Sequence, residues 1–386
     1  MKKLLMYALI CSGLIMNTNC KNDEGNIVPD DEDSFVNPDI AVIYVGTQSP
    51  GDVWTWHLDK EQGHMTATWD YGTFDNTDDD IYIEGTFVTL PSGFLKVTIT
   101  KSIPVSAEIP TDGTAWFYAV EIPDMALIIK PEGSIKGDII SMVPEGDCSS
   151  IPGAYNYIVT APAQRSAYNP ITQEAFGYID FEAIGSNFKI SGSKFSLDCV
   201  NGGPCTEFGD IEGMPEATCL ENGKVIVKEG GNTQARGQFT NAGAMMMDFG
   251  YGNGGIYALK AKASATKEIM NNQTYIGFAY LPKNTNDPTM PVKLSFFKNE
   301  LDNMIGTGHP FSSLENDIVQ NDEGVVVLVN NVINGRVLGT VNFDNDVDAS
   351  EMAAALLVNG NDQILIVSSY DEESLEPFIL VLVNKK

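Results

Sequence analysis

What confines this chain most is its punctuation. Short runs of β-branched and aromatic residues recur from Val42 onward, each stopped by glycine, proline, asparagine or aspartate. Almost no stretch repeats an apolar residue at the helical interval, so the chain is predicted to be all-β. One hairpin can be worked out residue by residue. VWTWHLD (Val53 to Asp59) and HMTATWDY (His64 to Tyr71) flank the turn Lys60-Glu-Gln-Gly63. Closing that turn pairs Asp59 with His64, His57 with Thr66 and Thr55 with Thr68. Trp54, Trp56, Leu58, Met65, Ala67 and Trp69 then share one face, and the threonines with His57 share the other. Apolar in and polar out is the pattern of a half-buried antiparallel sheet.

More hairpins follow. IYIEGTFVTL and FLKVTITKS flank Pro91-Ser-Gly93, AWFYAVEI and MALIIKP flank Pro123-Asp124, and an Asn-Gly turn precedes QILIVSS. Consecutive hairpins make meanders, which close as barrels or pack as sandwiches. Two stretches rhyme: GKVIVKEGG…GQFTNAGAMMMDFGYGNGGIYALK in the middle third and GRVLGTVNF…MAAALLVNGNDQILIVSS in the last. Their openings, GAYNYIVTAP and QTYIGFAYLP, rhyme as well. The expected architecture is therefore tandem antiparallel β-modules, barrel or sandwich, spanning residues 39–150, 151–265 (the module bearing the disulfide) and 266–386. A single large β-propeller is the alternative.

The ends carry other information. Lys2 and Lys3 precede an apolar run, Leu4 to Met16, followed by Asn17, Thr18, Asn19 and Cys20. A basic head and a short apolar run describe a secretory leader; a membrane span needs about 20 apolar residues. Cys20 just beyond the run resembles the lipobox of bacterial lipoproteins, with Asn17 and Asn19 standing where that box has leucine and a small residue. The resemblance covers about the first twenty residues. It implies a leader of residues 1–19, lipidation of Cys20, and export to the outer membrane on its periplasmic or surface face. Residues 20–38, with Asp23, Glu24, Asp30, Asp31, Glu32 and Asp33 beside Pro29 and Pro38, suit an extended acidic tether.

The chain carries a formal charge of −29. Without Lys2 and Lys3 it holds 21 basic against 52 acidic residues, a charge of −31. Such a surface repels nucleic acid and anionic headgroups and leaves cations, neutral ligands and proteins as partners. The body contains Cys148, Cys199, Cys205 and Cys219, an even number in an exported chain, so disulfides are expected, in any of three pairings. The last three crowd a turn-rich segment where a short loop could be stapled.

Chemical motifs are scarce. There is no G-x-S-x-G elbow and no H-E-x-x-H, and the three histidines, His57, His64 and His309, are scattered. GYGNGG (Gly250 to Gly255) lacks the β-α unit a phosphate cradle needs. Hard cations take several carboxylates from one loop. Asp344, Asp346 and Asp348 alternate that way, and Asp75, Asp78, Asp79 and Asp80 crowd another loop. An acidic turn is the plainer reading, with structural calcium the most it supports; no other cofactor is expected. Tyr71 and Trp116 are the aromatic residues most suited to a rim that contacts ligand. The function expected is a lipid-anchored cell-envelope protein with a non-enzymatic binding, adhesion or accessory role toward a glycan or envelope protein. An envelope hydrolase acting on polysaccharide or peptide is the alternative.

Overall fold

The computed structural model describes residues 35–48, 51–70, 80–106, 109–135, 137–159, 176–185, 187–195, 207–210, 217–229, 232–249, 254–280, 289–320, 324–343, 350–371 and 376–384. The described residues form three closed eight-stranded antiparallel barrels. Barrel 1 contains β1 (Val42–Gln48), β2 (Val53–Asp59), β3 (His64–Asp70), β4 (Ile81–Thr89), β5 (Leu95–Ile103), β6 (Ala115–Ile122), β7 (Ala126–Gly133) and β8 (Ile140–Pro144). It runs up and down in chain order and closes by pairing β1 with β8.

Barrel 2 contains β9 (Gly153–Val159), β10 (Phe176–Ile184), β11 (Asn187–Phe195), β12 (Glu207–Asp210), β13 (Ala217–Cys219), β14 (Lys224–Glu229), β15 (Asn232–Phe239), β16 (Ala244–Asp248) and β17 (Gly255–Lys260). Barrel 3 contains β18 (Thr274–Tyr280), β19 (Thr289–Lys298), β20 (Met304–Ser313), β21 (Ile318–Val319), β22 (Val325–Ile333), β23 (Arg336–Phe343), β24 (Ser350–Asn359), β25 (Asp362–Asp371) and β26 (Glu376–Asn384). Both repeat the meander of barrel 1 with one excursion each, β12 on β11 and β21 on β20. They close through β9 with β17 and β18 with β26. Ring closure rules out the propeller alternative.

The predicted hairpin forms in the predicted register, with Asp59 opposite His64, His57 opposite Thr66 and Thr55 opposite Thr68. Its apolar face fills barrel 1: Trp54 stacks on Trp69 with centroids 5.0 Å apart, and Trp56 meets Phe117 edge-on at 5.3 Å. Barrel 2 is filled by Tyr155, Phe181 and Phe239 in mutual edge contact, and barrel 3 by Tyr275 and Phe296 among aliphatic residues. Eight strands leave an interior just wide enough for side chains to fill.

A fourth apolar cluster lies outside all three rings. Alternate residues of β6, β7, β16, β17, β18, β24, β25 and β26 point away from their own barrels and meet in it, among them Ile122, Ile128, Tyr257, Phe278, Ile366 and Val381. These strands are therefore apolar on both faces. In β24, Met352, Ala354 and Leu356 fill barrel 3 while Ala353, Ala355 and Leu357 join the central cluster. This is why AAALLV lacks the alternation that marks β2 and β3.

Polar contacts fix the junctions. Between barrels 1 and 2, Asp248 Oδ1 accepts from Thr47 Oγ1 and the Asp52 N–H, both at 3.0 Å. Between barrels 1 and 3, Tyr280 donates to Asp138 Oδ1 at 2.5 Å. Between barrels 2 and 3, Asn156 Nδ2 donates to the Asn334 carbonyl at 2.9 Å. Gly46 on β1 and Gly277 on β18 sit at closing seams where a Cβ would strike the Ser141 and Val381 carbonyl oxygens.

Cys148, in the 3-10 turn Cys148–Ser150 of the β8–β9 linker, is bonded to Cys219 on β13. The pairing spans 71 residues rather than stapling a short loop. Cys199 and Cys205 lie outside the described residues, as do Cys20 and the whole of residues 1–34. The rhyme between the middle and last thirds is out of step in its later part. Strand order sets β14 against β23, β15 against β24 and β16 against β25, whereas the rhyme, read along the two stretches, sets AMMMD of β16 beside MAAALLV of β24. Strands apolar on both faces are alike in composition, so one slides onto another. Among the described residues, no helix is long and apolar enough to cross a membrane.

Candidate functional site

The described aromatic candidate, Trp116, stands on the outer face of β6. Alternation along AWFYAVEI turns Ala115, Phe117 and Ala119 into barrel 1 and leaves Trp116 and Tyr118 facing out. On that face Thr98 of β5 lies opposite Trp116, and Lys96 lies opposite Tyr118. On the other flank Glu132 and Lys130 of β7 are their partners, ion-paired to each other at 2.5 Å. Trp116 is half-buried and packs against the central cluster, and Tyr118 is 8% exposed.

Lys96 completes the arrangement. Its Nζ lies 5.5 Å from the Trp116 ring centroid and 5.9 Å from that of Tyr118, within cation–π range. The same ammonium is 3.1 Å from Glu315 Oε1, and the Tyr118 hydroxyl donates to that oxygen at 2.9 Å. Glu315 belongs to the turn between β20 and β21, so this acid comes from barrel 3 to a face of barrel 1. The two rings stand nearly perpendicular, at 83°. Burial first, then the hydrogen bond and charge of Glu315, push the Tyr118 hydroxyl up to about 12. Its own backbone N–H and Lys96 hold Glu315 below the usual carboxylate range. The outcome is two rigid aromatic walls and a carboxylate around one ammonium, a geometry that recognises alkylammonium groups.

β6 is apolar on both faces, so AWFYAVEI does not tell which face Trp116 takes. Lys96 does carry a signal, the alternation of β5 in LKVTITKS. Glu315 has none, because it sits 219 residues from Lys96 in sequence. The other sequence candidates do not join this site. Tyr71, Asp75, Asp78, Asp79, Asp344, Asp346 and Asp348 lie outside the described residues, and Asp80 is buried. Among the described residues, no group of three or more His, Cys, Asp and Glu side chains could hold a metal ion.

The histidines stay apart in role. His57 lies on the outer face of β2, its pKa lowered by burial. His64 stacks on Phe35 at 4.3 Å, its Nδ1 2.9 Å from the Phe35 carbonyl. His309 sits in barrel 3, opposite Lys293.

No family model matches the sequence, and no curated protein is similar to it at a significant level. Among solved structures, the chain is similar to a mutant of transferrin binding protein B, a vaccine antigen from Haemophilus parasuis Hp5. The identity is 10% and the TM-score 0.26, over 86% of this chain and 65% of that one. The chain thus spans less than two thirds of that protein. It is also similar to a protein of unknown function from the DUF3598 family of Nostoc punctiforme, with 10% identity and a TM-score of 0.25, over 61% of this chain and 97% of that one. At such scores neither likeness bears on ligand or activity.

Proposed function

We propose that this protein is a lipid-anchored component of the bacterial cell envelope, held through Cys20, whose non-enzymatic binding, adhesion or accessory role is carried by its outer surface. The observation that supports it most is the filling of all three barrels by their own side chains, Trp54, Trp56 and Phe117 in the first, Tyr155 and Phe239 in the second, Tyr275 and Phe296 in the third. Barrels that hold a small ligand do so in an open interior. Packed barrels leave outer strand faces and junctions for a macromolecular partner. The leader and acidic tether support export and display, and the charge of −29 supports a partner that is neutral or basic rather than a nucleic acid.

The test takes the mature protein and its Cys20→Ser variant. The wild type should partition with membranes and take up labelled fatty acid, and Cys20→Ser should do neither while folding normally. Both are then screened on a glycan array, with and without calcium, and by cross-linking on intact cells. Saturable capture in either screen supports the binding role, and calcium dependence would assign the loop of Asp344, Asp346 and Asp348 as its site. A folded protein that captures nothing in both screens refutes it.

A further inference from the structure

The aromatic face a ligand would use at Trp116 is already occupied by the chain's own Lys96. The walls are fixed: Trp116 packs into the central cluster, Tyr118 is buried, and the Tyr118 hydroxyl holds Glu315 in place. The occupant is the loose part. Lys96 projects from an outward position of β5, and the side chains of the Lys96–Glu315 pair are 34% and 45% exposed. Surface pairs of this kind add little stability and re-form readily with other partners. A second carboxylate, Glu132, faces Trp116 across β6 and β7, although it is engaged by Lys130.

We propose that Lys96, Trp116, Tyr118 and Glu315 form a recognition cage for a lysine side chain of a protein partner, closed in the free protein by Lys96 and opened when the incoming ammonium displaces it. This rests on the reading of the chain as a binding protein and names the chemistry of its partner: an exposed lysine on a basic polypeptide segment. Two features favour that occupant. The cage already holds an alkylammonium in the geometry it would offer a visiting one, and the chain's excess of acid draws basic segments toward it. A neutral sugar ring is less suited, because Lys96 lies over the ring face on which it would stack.

The experiment measures binding of a capped pentapeptide with one central lysine to the mature protein by calorimetry, with the norleucine peptide and a neutral oligosaccharide as controls. Lys96→Met should bind the lysine peptide about tenfold more tightly than wild type, the scale of one cation–π contact freed from competition. Lys96→Arg, which refills the cage, should stay at the wild-type level. Adding Trp116→Leu or Glu315→Gln to Lys96→Met should remove the gain, with circular dichroism confirming the fold.

No gain in Lys96→Met, a gain equal for the norleucine peptide, or a gain that survives Trp116→Leu overturns the cage. So does new binding of the oligosaccharide in place of the peptide, which would make the face a sugar platform. The wider reading is judged separately: partner capture on cells that is unchanged in Trp116→Leu would leave the binding role standing and refute only this site.

Discussion

Asp138 is a carboxyl removed from water at the junction of barrels 1 and 3. Burial raises its pKa above the usual range, and the hydrogen bond from Tyr280 opposes that only in part. The folded protein then keeps this proton at pH values where the unfolded chain has lost it. The contribution of Asp138 to stability is therefore fully present in acid and is lost as pH rises through the raised value. Asp138→Asn should flatten that decline; urea midpoints of both proteins across this window check it, and parallel curves would refute it.

Position on the strand sets the weight of each tryptophan. Trp56, fully buried in barrel 1, should cost about 3–5 kcal/mol when replaced by alanine. Trp116, half-buried on the outer face, should cost about 1 kcal/mol. Equilibrium unfolding of the two variants gives the comparison, and equal losses would mean the faces are misassigned.

At the scale of elements, β2 and β3 were legible because only one of their faces is buried, so the sequence alternates and the register follows from the turn. β16 and β24 were harder. They carry apolar residues on both faces, the alternation vanishes, and the match between the two thirds slipped by a strand. The disulfide belongs to this scale too. It ties the β8–β9 linker to β13 across 71 residues. By the chain-entropy argument a loop of that length contributes about 4 kcal/mol. Cys148→Ser or Cys219→Ser should lower the denaturant midpoint accordingly in non-reducing buffer, and reductant should bring the wild type down to the same value.

For the body as a whole, Phe35–Lys386 is a single compact unit because the rings share a core that none of them owns. Each buried aliphatic side chain there contributes on the order of 1.5–3 kcal/mol to the assembly of barrels rather than to any one barrel. Scanning calorimetry should therefore show one transition with matching calorimetric and van't Hoff enthalpies. Val381→Asp, placed in the central core, should lower that transition as a unit. Three separable transitions, or loss of barrel 3 alone in the variant, would mean the central core does not couple them.

Local sequence was enough for the all-β character, the hairpins with one wet face and the inward tryptophans of β2 and β3. Each follows from local alternation and turn chemistry, which act over a few residues. Ring closure of the meanders, the pairing of Cys148 with Cys219, the fourth core that joins the three barrels, the outward place of Trp116 and the reach of Glu315 to Lys96 and Tyr118 all came from long-range packing. Those contacts join residues tens to hundreds of positions apart. They depend on how strand faces come together in space, which no local pattern encodes.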